Sequence, residues 1–146
     1  MKENQISPAE WEIMRVVWTT HPITSTEIYN ILQEKTNWKL PTTKTLIGRL
    51  VKKGMLTTQT KGRKYEYSPA VTEKQSIKET TDALLEQVCS TKVGQTIEVM
   101  LENSVLSQDD LASLEQLIEE KKKTAPEVVA CNCTPGQCDC RHEGGK

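Results

Sequence analysis

Thr42-Thr43-Lys44-Thr45-Leu46-Ile47-Gly48-Arg49-Leu50-Val51-Lys52-Lys53-Gly54 is the stretch that decides the fold class. At about 100° per residue, Thr43, Leu46, Ile47, Leu50 and Val51 fall in one arc. Thr42, Lys44, Thr45, Gly48, Arg49, Lys52 and Lys53 fall in the opposite one. The spacing predicts a helix from about Thr42 to Lys53, closed by Gly54 in the left-handed cap that glycine adopts without strain. The apolar arc is core. The polar arc offers hydroxyls, cations and a glycine whose missing side chain lets another backbone approach closely. An α-helix fits the major groove of B-DNA and reads base edges from its N-terminal turn, where Thr42, Lys44 and Thr45 lie. Arg49, Lys52 and Lys53 are placed for phosphates.

Two helix starts precede this segment. Ser7-Pro8-Ala9-Glu10 combines an N-cap serine, a first-turn proline and a glutamate that reaches back. Trp11, Met14, Val17 and Trp18 follow at helical spacing until His21-Pro22 ends the run. Thr24-Ser25-Thr26-Glu27 is a second capping box, leading to Ile28, Ile31 and Leu32 on one face. After Gly54 the period changes. Residues 55–60 and 64–68 are rich in Thr and Tyr and flank Lys61-Gly62-Arg63, which predicts a β-hairpin stopped by Pro69. Its basic tip makes Lys61, Arg63 and Lys64 further candidates for phosphate contact. Three short helices followed by a two-stranded hairpin is the order of a winged helix-turn-helix.

Beyond residue 70 the helical period returns. Thr72-Glu73-Lys74-Gln75 caps a run with Ile77, Leu84, Leu85 and Val88, and Val93, Ile97, Met100 and Leu101 form an amphipathic stripe. Ser107-Gln108-Asp109-Asp110 caps a last run with Leu111, Leu114, Leu117 and Ile118, closed by Lys121-Lys122-Lys123, which complement the helix dipole. Three short helices over about 50 residues bury too little surface alone. They either share a core with a second copy or fold back on the first domain. The expected organisation is mainly α: a winged-helix DNA-binding domain over 1–70, a helical dimerisation region over 71–124 and a Cys-rich metal-binding tail over 125–146.

Composition fits this reading. Of 146 residues 36% are hydrophobic and 4% aromatic, with no Phe, so the core must come from Leu, Ile and Val plus three Trp. No run approaches the roughly 18 apolar residues of a membrane span, and the N-terminus leads into no apolar signal region. The expectation is a cytoplasmic protein. Residues 1–70 carry 11 Lys+Arg against 6 Asp+Glu, and residues 71–146 carry 8 against 14. Those counts leave +5 and −6 within an overall −1. A basic half joined to an acidic half suggests that the first half alone meets a polyanion. Two histidines, no phosphate loop and no nucleophile–base spacing argue against an enzyme.

The five cysteines divide unevenly. Cys89 stands alone mid-chain and reads as a small buried residue on a helix. Cys131, Cys133, Cys138 and Cys140 form C-x-C-x4-C-x-C around Pro135-Gly136, a turn that brings four sulfurs together. Thiolates select Zn2+, Cu+ or iron–sulfur clusters over hard ions, and four suit tetrahedral Zn2+. The pairs are tighter than the C-x2-C of structural zinc sites, and closely spaced sulfurs also bridge Cu+, so the site is expected to exchange metal. Two disulfides or a redox switch are the alternatives, the former disfavoured in a reducing cytosol. His142 is expected to be a bystander.

Trp11-Glu12-Ile13-Met14, the stretch Lys44–Gly54 and Leu106-Ser107-Gln108-Asp109-Asp110-Leu111 resemble the penicillinase-repressor family (BlaI, MecI and CopY) over roughly residues 5–123. The resemblance implies a winged-helix repressor that binds a palindromic operator as a homodimer through the helices after residue 70. The cysteine tail is absent from the beta-lactam-responsive members and resembles that of the copper-responsive, CopY-type ones. That resemblance implies a Zn2+-loaded form holding the operator of copper-export genes, released when Cu+ from a copper chaperone displaces the zinc. A zinc- or cadmium-sensing repressor, a thiol-redox repressor and a metal buffer or carrier stand as rivals.

Overall fold

The computed structural model describes residues 5–140. The described residues form two compact units, divided between Thr81 and Asp82.

The first unit is built from α1 (Pro8–Thr19), β1 (Ile23–Thr24), α2 (Ser25–Thr36), α3 (Leu40–Lys52), β2 (Leu56–Lys61) and β3 (Lys64–Pro69). Both predicted capping boxes form. The Ser7 N–H donates to Glu10 Oε1 at 2.7 Å and the Glu10 N–H donates to Ser7 Oγ at 3.2 Å. Thr24 and Glu27 repeat the pattern at 2.9 and 3.2 Å. Each box satisfies amide groups that a helix start otherwise leaves orphaned.

Helix α3 begins at Leu40, two residues ahead of the predicted start, because Pro41 supplies a helical φ in the first turn. At its far end Met55 N–H donates to Leu50 O at 2.9 Å and Gly54 N–H donates to Val51 O at 3.0 Å. With Gly54 at φ +80°, these bonds make a Schellman closure. That closure turns the chain directly into β2.

The antiparallel sheet has the order β1-β3-β2, with Tyr67 facing Thr58 on one side and Ile23 on the other. The hairpin matches its predicted strands within a residue. The third strand, β1, was not expected, since two residues carry no period.

Ile13, Met14 and Val17 of α1, Ile28 and Leu32 of α2, and Leu46, Ile47 and Leu50 of α3 close over Ile23, Met55 and Leu56. The predicted apolar arc of α3 is thus buried, apart from a half-buried Val51. Ile31 departs from expectation and is 55% exposed. It lies at the rim of the α1–α2 contact, where Lys35 Nζ meets Glu12 Oε1 at 2.8 Å. Trp18 and Trp38 flank the core instead of filling it. The Trp18 indole donates to Val71 O at 3.0 Å, which fixes the chain leaving the sheet.

Helix α4 (Glu73–Glu86) follows, opened by reciprocal bonds between Thr72 and Gln75. In the second unit a 3-10 turn (Ser90–Lys92) leads into α5 (Val93–Glu102), and α6 (Gln108–Lys122) starts from the predicted box between Ser107 and Asp110. Neither α5 nor α6 buries a residue. Ile97, Met100, Leu111, Leu117 and Ile118 are all more than a third exposed. No helix among the described residues is long and apolar enough to cross a membrane.

Candidate metal centre and nucleic-acid interface

Burying one face of α3 leaves the opposite face open. Thr42, Lys44, Thr45, Gly48, Arg49 and Lys52 are all exposed. A Cβ built on Gly48 meets nothing within 4 Å, so the helix backbone is open at this point. Thr45 Oγ1 donates back to Pro41 O at 3.0 Å. The hairpin tip is equally open, with Lys61, Arg63 and Lys64 exposed around Gly62 at φ +65°. Lys61 lies 3.8 Å from the half-buried Glu66, a loose pair whose exposed ammonium leaves it small energetic weight.

Lys53 is different. Its ammonium sits 2.7 Å from Glu10 Oε1 and donates to Gln5 O at 3.2 Å. It closes the base of the domain. Although predicted to face DNA, it is committed to a buried carboxylate.

The second site lies wholly in the second unit. Helix α4 stops at Glu86, and Cys89 follows in an extended conformation (φ −56°, ψ 138°) as the cap of the 3-10 turn. Its carbonyl accepts from Lys92 N–H at 2.8 Å. The tail is pinned against this loop, with Ser90 N–H donating to Asn132 Oδ1 at 3.0 Å and the Ser90 hydroxyl donating to Ala130 O. Past it the chain reverses as predicted, with Gln137 N–H donating to Thr134 O at 2.9 Å and Gly136 at φ +95°.

The reversal gathers the sulfurs. Cys131 Sγ lies 3.3 Å from Cys138 Sγ and 3.5 Å from Cys89 Sγ. Cys140 Sγ lies 3.5 Å from Cys89 Sγ and 3.2 Å from Thr91 Oγ1. The thiol sulfurs of Cys89, Cys131, Cys133 and Cys138 all lie within 4.8 Å of one another. A tetrahedral Zn2+ with bonds of about 2.3 Å sets its sulfurs roughly 3.8 Å apart, so this set fits a soft, four-coordinate ion. Hydrogen bonds from the Thr91 hydroxyl and backbone pull the Cys89 thiol down to about 6. A hydrogen bond with the Cys89 sulfur, followed by burial, pushes the Cys133 thiol up to about 11. A cleft of about 390 Å3, lined in part by Glu86, Lys92 and Gln137, opens beside the sulfurs.

The penicillinase-repressor family profile matches residues 6–120. This chain belongs to the penicillinase-repressor family. The penicillinase repressor of Bacillus licheniformis is 32% identical over 123 residues, spanning 84% of this chain and 96% of its own. The methicillin resistance regulatory protein MecI of Staphylococcus aureus is 28% identical over 82% of this chain and 98% of its own. A 16.5 kDa protein from the ptsI 3′ region of Latilactobacillus sakei is 44% identical over 96% of both chains. Among solved structures, a CopR repressor is 47% identical over 44% of this chain and 93% of its own, with a TM-score of 0.40. The DNA-binding domain of the repressor BlaI is 38% identical over 49% of this chain and 88% of its own, with a TM-score of 0.46.

Within this penicillinase-repressor chain, the match to the family ends at residue 120, ahead of the tail thiols. Of the four predicted tail thiols, Cys131, Cys133 and Cys138 share one close set with Cys89, and Cys140 lies outside that set with its sulfur 3.5 Å from that of Cys89. Cys89 corrects its own prediction. It is buried, but it lies beyond the end of α4 and among the tail sulfurs, not on a helix among core side chains. His142 lies outside the described residues.

Proposed function

We propose that this chain is a cytoplasmic, copper-responsive transcriptional repressor that binds a palindromic operator as a homodimer. The observation that carries the proposal is one chain joining an unobstructed cationic helix face to a cluster of soft-metal thiols. Thr42, Lys44 and Thr45 on the first turns of α3 face base edges, and Gly48 lets the helix backbone settle close to the groove. Arg49 and Lys52, with Lys61, Arg63 and Lys64 of the wing, neutralise phosphates. Lys53 is left out of this set, since it holds Glu10.

Pairing of two copies uses α5 and α6. An amphipathic helix that buries nothing in its own chain leaves an apolar stripe in need of a partner surface, and Ile97, Met100, Leu117 and Ile118 supply one. The metal supplies the positive charge that lets several thiolates share a few ångströms. The tail cysteines hold Zn2+ in the DNA-bound form and Cu+, delivered by a copper chaperone, in the released form. Because half-sites lie about one helical turn apart, a small change in the spacing of the two α3 helices is enough to break simultaneous docking. The two ions shift that equilibrium only by their differential affinity for the two spacings.

The test starts from the full chain loaded with Zn2+, used to select duplexes from a random pool. Anisotropy on the selected duplex, at fixed salt because phosphate contacts are salt-dependent, is then followed during anaerobic addition of Cu+. Release at about stoichiometric Cu+ supports the proposal. Binding that ignores Cu+ but responds to Cd2+ or to oxidant replaces copper with those signals. Failure to select any duplex under any metal leaves a metal buffer or carrier.

A further inference from the structure

We propose that Cys89 is a ligand of the metal centre, beside Cys131, Cys133 and Cys138, in the place that the C-x-C-x4-C-x-C spacing would assign to Cys140. The inference rests on reading these thiols as a metal centre and specifies which four of the five hold the ion. Three observations carry it.

The first is distance: the sulfurs that lie mutually within 4.8 Å are those of Cys89, Cys131, Cys133 and Cys138. The second is the docking of the tail. The hydrogen bonds from Ser90 to Ala130 O and to Asn132 Oδ1 hold Cys131 against the loop that carries Cys89. The third is the place of Cys140, whose sulfur falls outside that set although it shares the Thr91 hydroxyl with Cys89, at 3.2 and 3.0 Å.

This assignment also supplies a mechanical link. Four ligands within ten residues of tail would close a bead whose geometry could change without moving any helix. Cys89 lies one residue before the 3-10 turn, which runs directly into Val93, the first residue of α5. A ligand there ties the ion to the start of the helix whose apolar stripe is unpartnered. Cys140 remains as a fifth thiol beside the set, where an incoming thiophilic ion meets a sulfur that zinc does not occupy.

The experiment is Co2+ and Zn2+ binding to the full chain and to its Cys89→Ser, Cys140→Ser and Cys138→Ser variants under anaerobic, reducing conditions. Thiolate-to-Co2+ charge-transfer absorbance counts the sulfurs bound. Cys140→Ser should keep the wild-type intensity. Cys89→Ser and Cys138→Ser should each lose about a quarter of it, one sulfur in four. Their Zn2+ affinity should fall at least about 10-fold, a loss that even an outer-shell partner commands. Far-UV circular dichroism reports whether each variant keeps its helices.

A second measurement needs no variant: in the wild-type chain Zn2+ should slow iodoacetamide labelling of Cys89 at least as much as that of Cys138, and leave Cys140 reactive. Full intensity in Cys89→Ser with loss in Cys140→Ser overturns the proposal, as does labelling of Cys89 that zinc does not slow. If the wild type binds neither ion, the metal-centre reading falls with it; if only the pattern of variants differs, that reading stands.

Discussion

Lys53 at the end of α3 places its ammonium 2.7 Å from the carboxylate of Glu10 in the first turn of α1, across 43 residues of sequence. Glu10 is 1% exposed. Burial works to raise its pKa, and hydrogen bonds from Lys53 and Ser7 outweigh that and hold it below the ordinary glutamate value. A carboxyl with a lowered folded-state pKa contributes stability that is present above the unfolded value and lost as pH falls through the folded one. Unfolding free energy should therefore rise with pH through the acid range. Lys53→Met strands a buried carboxylate and should cost about 3 kcal/mol at neutral pH. It should also flatten the acid dependence, because Glu10 then takes up a proton without unfolding. Urea denaturation between pH 3 and pH 7 checks both, and a variant as stable as wild type at pH 7 would show the pair to be incidental.

Gly48 separates stability from recognition. A methyl group there meets nothing within 4 Å in the free protein, and alanine is favoured over glycine inside a helix by up to about 1 kcal/mol. Gly48→Ala should therefore raise the melting temperature by a few degrees. The same methyl projects from the face proposed to enter the groove, so operator affinity should fall by about 10-fold or more. Arg49→Ala should instead weaken binding to all duplexes alike and reduce the slope of log K against log salt by about 1. Anisotropy at several salt concentrations distinguishes the two behaviours.

What the sequence made legible was local. Ser7/Glu10, Thr24/Glu27, Thr72/Gln75 and Ser107/Asp110 each act across three residues, so their helix starts could be read directly. The buried arc of α3 repeats with the helical period, and that alone defines the exposed face. The misses are long-range. Cys89 meets Cys131 across 42 residues, and a single cysteine after a helical run has no spacing to betray a partner. Lys53 looked like its neighbour Lys52 because nothing near it announces Glu10. β1 exists because Ile23 pairs with Tyr67, a contact that no two-residue pattern contains.

Thr43 carries a different cost. It is fully buried on the core face of α3, and its Oγ1 has no hydrogen-bond partner among the described residues. An unmet buried hydroxyl costs about 1–3 kcal/mol. Thr43→Val replaces the hydroxyl with a methyl of nearly the same shape, and should stabilise the winged-helix unit by about 1 kcal/mol. DNA affinity should be unchanged, since Thr43 points away from the exposed face. A loss of stability on thermal or urea unfolding would mean that the hydroxyl is satisfied in solution.

Leu117 on α6 and Ile97 on α5 are 56% and 44% exposed within one chain. Replacing either with a charge therefore removes little from the single-chain fold. In a dimer that buries them, the same replacement desolvates an unpaired charge at an apolar contact. Ile97→Glu and Leu117→Glu should leave far-UV circular dichroism unaltered and shift sedimentation at micromolar concentration from dimer to monomer. Binding to a half-site duplex should persist, while the gain from joining two half-sites, commonly 10²-fold or more, should disappear. Variants that remain dimeric would move the pairing surface off these helices. Variants that become monomeric yet keep full palindrome affinity would separate pairing from recognition altogether.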